Sequence, residues 1–156
     1  MDEKPVNRSW SVFTKRFINS RSAVFKVAEY LNREKNCSVE IPAMRLAPDP
    51  DFADEYKDNG DIIVNGKHIV EVKGRNMLFY DRDSFMYNEI IVANVASADR
   101  HNAFAYFIVN NEFTHAAIIK GETKKKWVIR NIYEEEKNTW EEKYLCHKDL
   151  AEFIIL

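Results

Sequence analysis

The strongest constraint on the fold is the segment of residues 60–75, which reads GDIIVNGKHIVEVKGR. Two short runs rich in β-branched residues, 61–64 and 67–73, flank the dipeptide Asn65-Gly66. An Asn-Gly pair between two such runs is the strongest short-range signal for a β-hairpin. The apolar runs are nearly continuous, which is typical of strands that are covered on both faces. The segment therefore predicts a buried hairpin.

Three charged residues, Asp61, Glu71 and Lys73, interrupt this apolar setting. Removing a carboxylate or an ammonium group from water is costly unless the group is paired or bound to a metal. Two carboxylates and an ammonium group that converge are the components of a divalent-metal site for hydrolysis at phosphorus. The hairpin is therefore also the candidate functional site.

The register of the hairpin decides whether these charges converge, because a slip of one residue moves every side chain to the other face. A two-residue loop would point Asp61 away from Glu71 and Lys73. A three-residue loop over residues 64–66, closed by a glycine in the left-handed conformation, places Asp61 opposite Ile69. In that register the three charged side chains share a face. We therefore expect the three-residue loop.

An acid followed two residues later by lysine is common in this chain, but only Glu71-Val72-Lys73 stands inside an apolar strand that has an acid-bearing partner. With these residues the sequence resembles the PD-(D/E)XK nuclease superfamily, whose core places Asp on one strand and Glu-x-Lys on the next. Here the first motif reads Gly60-Asp61 rather than Pro-Asp. Small, single-domain phage-like and resolvase-like members are the nearer comparison. A structural hairpin whose charges reach the rim is the alternative.

The length of 156 residues predicts one domain that buries a core without disulfides or metals. The resemblance implies an α/β fold with a restriction-endonuclease-like αβββαβ core, in which helices flank a central mixed β-sheet. That core covers about residues 20–120, with additions at both ends. The predicted elements are a helix from Ser20 or Ser22 to about Lys35, strands at 37–46, the hairpin, 89–95, 104–109, 113–120 and 124–132, a short helix at 97–102 and a closing helix at 148–156.

The resemblance implies that Asp61 and Glu71 hold Mg²⁺ or Mn²⁺, together with a backbone carbonyl near Val72, since these hard ions take oxygen ligands. Lys73 would orient the attacking water or stabilise the transition state. An acid on the first helix often completes the site in the superfamily, and Glu29 is the position that corresponds to it. A solvated helix-face glutamate is the alternative reading of Glu29.

The net charge of −2 and the sequence pI near 6.1 give no support to passive binding of nucleic acid. Any such contact must use a local patch. An aromatic segment that contains Phe79, Tyr80, Phe85 and Tyr87 could stack on unpaired bases, although such residues more often pack in the core. The run of lysines at residues 124–126 could form such a patch, but a hairpin tip in solvent explains that run equally well. The candidate substrate-binding residues are Arg75, Arg82, Lys124, Lys125 and Lys126.

The acidic stretch of residues 49–61 predicts a solvated loop in which Asp58 is a spare metal ligand. The four histidines, including His101, lack partners at metal-ligand spacing, so we interpret them as structural or surface residues. Cys37 and Cys146 form no motif, and the acidic start of the chain lacks an apolar core of signal-peptide length. These features predict a reducing, cytoplasmic protein.

No run of residues is apolar for long enough to span a bilayer, so no membrane partner is expected. The expected function is a metal-dependent nuclease, with DNA rather than RNA as the expected nucleic acid. A homodimer is predicted because one catalytic centre cuts one strand at a time. The alternatives are a catalytically silent nuclease-like domain that binds nucleic acid or protein, and a metal-free structural domain.

Overall fold

The structure is a computed structural model that describes residues 20–43, 47–49, 60–135 and 137–156. Asp58 and the rest of residues 50–59 lie outside this range, as do residues 1–19. The elements, in chain order, are α1 (Arg21–Lys35), β1 (Val39–Glu40), β2 (Ile62–Val64), β3 (His68–Gly74), β4 (Glu89–Asn94), α2 (Val95–His101), β5 (Ala105–Val109), β6 (His115–Lys120), β7 (Val128–Glu134), β8 (Thr139–His147) and β9 (Glu152–Ile155), with 3₁₀ helices at Gly121–Lys126 and Lys148–Leu150.

Among the described residues, the larger of two sheets has six strands in the order β1-β2-β3-β5-β6-β9. Its strands are antiparallel to their neighbours except for β3 and β5, which are parallel. Two parallel strands need a crossover connection, and here β4 and α2 provide it. The molecule is therefore an α/β protein with a mixed central sheet, as the sequence predicted.

The two faces of the central sheet are covered by different partners. Helix α1 covers one face, because its apolar stripe, which includes Val24 and Val27, packs on Val70 and Val72 of β3. The second sheet, with the order β4-β8-β7, contributes to the core on the opposite face. Side chains alternate along a strand, so β3 sends Val70 and Val72 toward α1 and sends Ile69, Glu71 and Lys73 toward the second layer.

The hairpin between β2 and β3 has the predicted three-residue loop and a left-handed glycine, with φ of +74° at Gly66. The predicted position of the loop is wrong by one residue. Val64 pairs with His68, so the loop consists of residues 65–67 rather than 64–66. Val64 stays in the strand because its side chain is buried under α1, and Asn65 takes the first left-handed position, with φ of 50°.

This register also changes the partner of Asp61. Ile62 pairs with Val70, and the next step along the ladder brings Asp61 level with Glu71 instead of Ile69. Residues directly opposite each other on antiparallel strands share a face. The expected convergence of the charged side chains is therefore present, through a closer pairing than the one predicted.

The predicted closing helix at residues 148–156 is wrong. The chain there forms a short 3₁₀ helix and then β9, which pairs with β6. Phe153 packs into the core beside the second sheet, whereas Ile154 packs into the core beside α1. Apolar residues that alternate between two covered faces favour a strand over an amphipathic helix. Residues 152–155 are thus part of the central sheet and not an addition to it.

Two further predicted strands differ from the structure. The strand expected at residues 37–46 is limited to Val39–Glu40, and residues 44–46 lie outside the described range. The lysines at 124–126 lie in the 3₁₀ helix Gly121–Lys126, and β7 begins only after Trp127, whose side chain is buried. No helix in the described parts of the chain is both long enough and apolar enough to cross a membrane.

Candidate active site

The hairpin brings Asp61, Glu71 and Lys73 together on the face of the central sheet that is turned away from α1. Lys73 Nζ lies 3.8 Å from Glu71 Oε2, and their side chains are 30% and 5% exposed. Asp61 Oδ2 accepts a hydrogen bond of 2.8 Å from the backbone N–H of Val72. Two carboxylates and one ammonium group are thus concentrated at the β2–β3 ladder, in a partly buried setting.

Gly60 allows the chain to approach β3 closely enough to place Asp61 there. Its φ is +117°, a conformation that residues with a side chain rarely adopt. A Cβ atom at this position would lie 2.5 Å from Ile69 Cγ2 and 3.5 Å from Glu71 Oε1. Gly60 thus stands before Asp61 at the position where the superfamily motif has proline, and it does so in a different backbone conformation.

The environment of Asp61 favours its protonated form. Burial, and next the charge of Glu71, raise the pKa of Asp61 to about 7, while Lys73 and the Val72 N–H oppose that rise. Burial also acts to raise the pKa of Glu71. Hydrogen bonding with His101 and the charge of Lys73 nevertheless hold the pKa of Glu71 below its ordinary value. Near neutral pH the two carboxyl groups therefore share one proton, with Glu71 as the ionised partner.

His101 belongs to this site, although sequence reasoning did not place it there. Its Nδ1 lies 2.6 Å from Glu71 Oε1, and its side chain is 7% exposed. His101 is the last residue of α2, which crosses from the second sheet to the central sheet. The signal that could have located His101 was the predicted short helix before β5, because a crossover helix ends near the strand that follows it.

Tyr106 is a second residue that sequence reasoning missed. It pairs with Glu71 in the parallel β3–β5 ladder, so both side chains lie on the same face, and it is buried. Burial, followed by the charge of Glu71, raises the pKa of Tyr106 to about 12. The phenol is therefore neutral at physiological pH and forms an uncharged wall beside the carboxylates.

Glu29 is not brought into this group. It lies on α1, which covers the opposite face of the central sheet, and its side chain is exposed. Its Oε1 pairs with Arg33 Nη1 at 3.1 Å, one helical turn away. Glu29 therefore lies in solvent, as the alternative interpretation expected, because the buried stripe of α1 already occupies the side of the helix that faces the sheet.

The predicted substrate-binding cations do not lie together, and most of them pair with acceptors within the protein. Arg75 donates a hydrogen bond of 2.9 Å to the carbonyl of Ile91, which ties the end of β3 to β4. Arg82 is exposed and pairs with Asp149 on the surface. Both guanidinium groups are therefore engaged by acceptors within the protein.

The lysine run divides into one paired and two exposed side chains. Lys124 pairs with Asp99 at 2.6 Å and lies 5.0 Å from the ring centre of Tyr144. Lys125 and Lys126 are exposed on the same 3₁₀ helix. Asp99 lies on α2, two residues before His101, so the lysine run is joined to the helix that reaches the site.

The aromatic segment after β3 is chiefly structural. Phe79 and Phe85 are buried, with ring centres 5.1 Å apart, and both also contact Phe153. Tyr80 and Tyr87 are exposed. Stacking on bases by Phe79 or Phe85 is therefore excluded by their burial, and only the two tyrosines remain accessible for such contacts.

The donor set at the hairpin fits a divalent cation. Two carboxyl groups that share one proton present a concentrated negative charge. A cation would relieve the repulsion from Glu71, which adds to the larger effect of burial in raising the pKa of Asp61. Within the described residues, no group of three or more His, Cys, Asp or Glu side chains is arranged to hold a metal ion. Mg²⁺ and Mn²⁺ suit a site with few protein ligands, because Mg²⁺ in particular usually keeps several waters.

No protein-family model, curated protein or solved structure matches this chain. No relative therefore supplies an activity, a substrate or a partner. A function for this chain depends on the geometry of residues 60–75 and on the side chains that meet them.

Proposed function

We propose that this protein is a nuclease that depends on Mg²⁺ or Mn²⁺ and hydrolyses phosphodiester bonds, with DNA as its substrate. The observation that carries the proposal is the placement of Asp61, Glu71 and Lys73 on one face, with Asp61 level with Glu71. A binding module or a structural hairpin has no use for three charged groups in this partly buried position, where charges are costly.

The topology of the central sheet supports the same proposal. Apart from β4, the elements from α1 to β5 occur in the αβββαβ order that the resemblance implies, and β1, β2 and β3 are antiparallel. β5 lies parallel to β3, which makes the sheet mixed. Strand β4 is inserted between β3 and α2 and belongs to the second sheet.

In this proposal Asp61 and Glu71 hold the cation, together with the backbone carbonyl of Val72. The bound metal supplies an acidified water and neutralises charge that develops on the phosphoryl oxygens. Glu71 would supply the ionised carboxylate that attracts the cation, and Asp61 would have to release its shared proton to serve as a second ligand. This proton release makes metal binding tighter as the pH rises through about 7.

Lys73 contributes a charge that is fixed in place before the reaction. Its ammonium group lies beside Glu71 and keeps partial access to solvent. It donates hydrogen bonds and accepts none, so it orients the attacking water or stabilises the oxygen that becomes negative in the transition state. Tyr106 keeps one side of the carboxylates dry and uncharged.

The test combines metal binding with cleavage. Mn²⁺ binding is measured by calorimetry for the parent protein, for Asp61→Asn and for the control Glu112→Gln, which alters an exposed carboxylate in the β5–β6 turn. The same proteins are incubated with linear duplex, single-stranded, branched and circular DNA and with RNA, in Mg²⁺ and in Mn²⁺. We expect the parent and the control to bind and cleave, and Asp61→Asn to do neither.

Two other outcomes overturn the proposal in different ways. Mn²⁺ binding that depends on Asp61, without cleavage of any substrate, indicates a catalytically silent nuclease-like domain. Absence of Mn²⁺ binding in the parent indicates a structural hairpin. Preferential cleavage of RNA would leave the proposed reaction standing and would make RNA rather than DNA the substrate.

A homodimer is proposed for concerted cleavage of both strands, since one site attacks one strand at a time. Sedimentation at the assay concentration measures the mass of the active species. A monomer that cuts both strands of a duplex in a single encounter would contradict the dimer and leave the nuclease proposal intact.

A further inference from the structure

The backbone holds the imidazole of His101 beside Glu71. Helix α2 ends at His101 because Asn102 takes a left-handed conformation, with φ of 46°, and donates its N–H to the carbonyl of Ala98 at 3.0 Å. Two residues later the Phe104 N–H donates to the carbonyl of Ile69 on β3 at 2.8 Å. The end of α2 is thus tied to the strand that carries Glu71.

The contacts of the two ring nitrogens of His101 differ in kind. Nδ1 lies 2.6 Å from Glu71 Oε1, and Nε2 lies 3.2 Å from Arg100 Nη2. A guanidinium group has hydrogen-bond donors and no acceptor, so Nε2 must accept from Arg100. With Nε2 as the acceptor, a neutral ring carries its proton on Nδ1, the nitrogen that lies against Glu71 Oε1.

We propose that His101 is a positioning residue that holds the Glu71 carboxylate in the orientation needed to bind the divalent cation, and that Arg100 selects the tautomer that does so. This inference rests on the proposed metal-dependent function. The imidazole engages Oε1 and leaves Oε2, the oxygen that faces Lys73, for the ion. The carboxylate is thereby fixed before the metal arrives, which lowers the cost of ordering it on binding.

The central test compares two substitutions of similar size. In His101→Asn the side-chain amide keeps an N–H donor close to the position of Nδ1, whereas His101→Leu keeps apolar bulk and removes the donor. Groups that orient a metal ligand typically contribute about 10- to 100-fold to metal affinity. We expect a loss of that size in Mn²⁺ affinity for His101→Leu, measured by calorimetry on folded protein, and a value closer to the parent for His101→Asn. His147→Leu, at a half-exposed histidine on β8, is the control.

A spectroscopic measurement tests the tautomer without metal or activity. In ¹⁵N spectra of the metal-free protein at neutral pH, His101 is expected to carry its proton on Nδ1, with Nε2 unprotonated. Arg100→Met removes the donor from Nε2, so we expect the signal to shift toward a mixture of tautomers. A ring with its single proton on Nε2 in the parent overturns the proposal. This measurement also keeps the proposal falsifiable if His101→Leu does not fold.

The results separate this inference from the proposed function. If the parent binds Mn²⁺ and cleaves DNA while His101→Leu binds as tightly, the positioning role is wrong and the nuclease proposal stands. If the parent does not bind Mn²⁺ at all, both are wrong. A lower melting temperature for His101→Leu with unchanged Mn²⁺ affinity assigns His101 a purely structural role and also overturns the inference.

Discussion

The two faces of β3 are built from alternate residues of one strand and have opposite properties. Val70 and Val72 lie under α1 in a closed apolar layer. Glu71 and Lys73 point to the other side, where they meet Asp61 and His101. The apolar face stabilises the fold by burial, whereas the charged face holds groups that burial disfavours. Adjacent positions of one strand thus separate the residues that pack in the core from the residues of the proposed site.

This contrast predicts that substitutions on the two faces affect different measurements. On the charged face, the proposed partners are the cation and the substrate. On the apolar face, the partner is α1, which packs there as part of the fold. The predictions below run from the largest expected effect to the smallest.

Lys73→Ala should reduce turnover about a hundred- to a thousand-fold, the cost of losing one preorganised group that acts on charge in the transition state. An ammonium group repels a cation, so Mn²⁺ affinity should be unchanged or slightly higher. Single-turnover cleavage and calorimetry measure the two effects. Glu71→Ala is the reference, because it should lose metal and activity together. Cleavage by Lys73→Ala at the parental rate would leave the structural hairpin as the better interpretation.

Val70→Ala should lower the free energy of unfolding by roughly 2 to 3 kcal/mol, since it removes buried methyl groups and leaves a cavity against α1. Mn²⁺ affinity should stay within about twofold of the parent, because the side chain faces away from the carboxylates. Urea unfolding and calorimetry test both statements. A large loss of affinity with intact folding would show that the two faces are coupled.

Asp61→Asn should stabilise the metal-free protein more at pH 8 than at pH 4. The pKa of Asp61 is raised to about 7 from the ordinary value of 3.8, so the folded state holds a proton that the unfolded chain releases. Parental stability therefore falls as the pH rises from about 4 to about 7, an effect that Asn cannot show. Glu71, Lys73 and His101 all face this group and set the size of the shift.

Urea unfolding in the presence of a chelator measures this difference at each pH. Titrating groups distant from the site are common to both proteins, so subtraction of one curve from the other isolates Asp61 together with its coupling to Glu71. A parent-minus-variant difference that is flat between pH 4 and pH 8 would contradict the raised pKa.

Glu29→Gln should change neither metal affinity nor cleavage by more than about twofold, and stability by less than about 0.5 kcal/mol, because only an exposed helical ion pair is lost. The same assays as for Lys73→Ala apply. A loss of metal binding would mean that α1 reaches the site in the active protein, which would remove the separation between the two faces.

Much of this arrangement could be predicted from residues 60–75 because the signals there are local. The Asn-Gly turn and the β-branched runs are chain neighbours, so the hairpin followed directly. The length of its loop was predicted from the need to place Asp61 on the same face as Glu71 and Lys73. The exact register did not, because burial of Val64 under α1 decides it and α1 is distant in sequence. The closing strand was mistaken for a helix for a similar reason, since the partner of β9 is β6.

The contribution of His101 could not be predicted from sequence because no local pattern links it to Glu71. The two residues meet only because β5 aligns parallel to β3 and the crossover through β4 and α2 brings the helix end back over the strand. Spacing rules for metal sites address ligands that are near in sequence or repeated in a motif. A lone histidine at the end of a short helix satisfies neither condition.

The crossover between β3 and β5 also affects how the protein folds. The hairpin that carries Asp61, Glu71 and Lys73 is local and can form within about 1 to 10 microseconds. Parallel pairing of β3 with β5 must close a much longer loop, which slows folding. The carboxylates of the hairpin therefore come together well before His101 can reach them. We expect the folding domain to pass through a state in which Asp61 and Glu71 are already close together but the imidazole of His101 has not yet reached Glu71. Full metal affinity should therefore appear only when folding is complete.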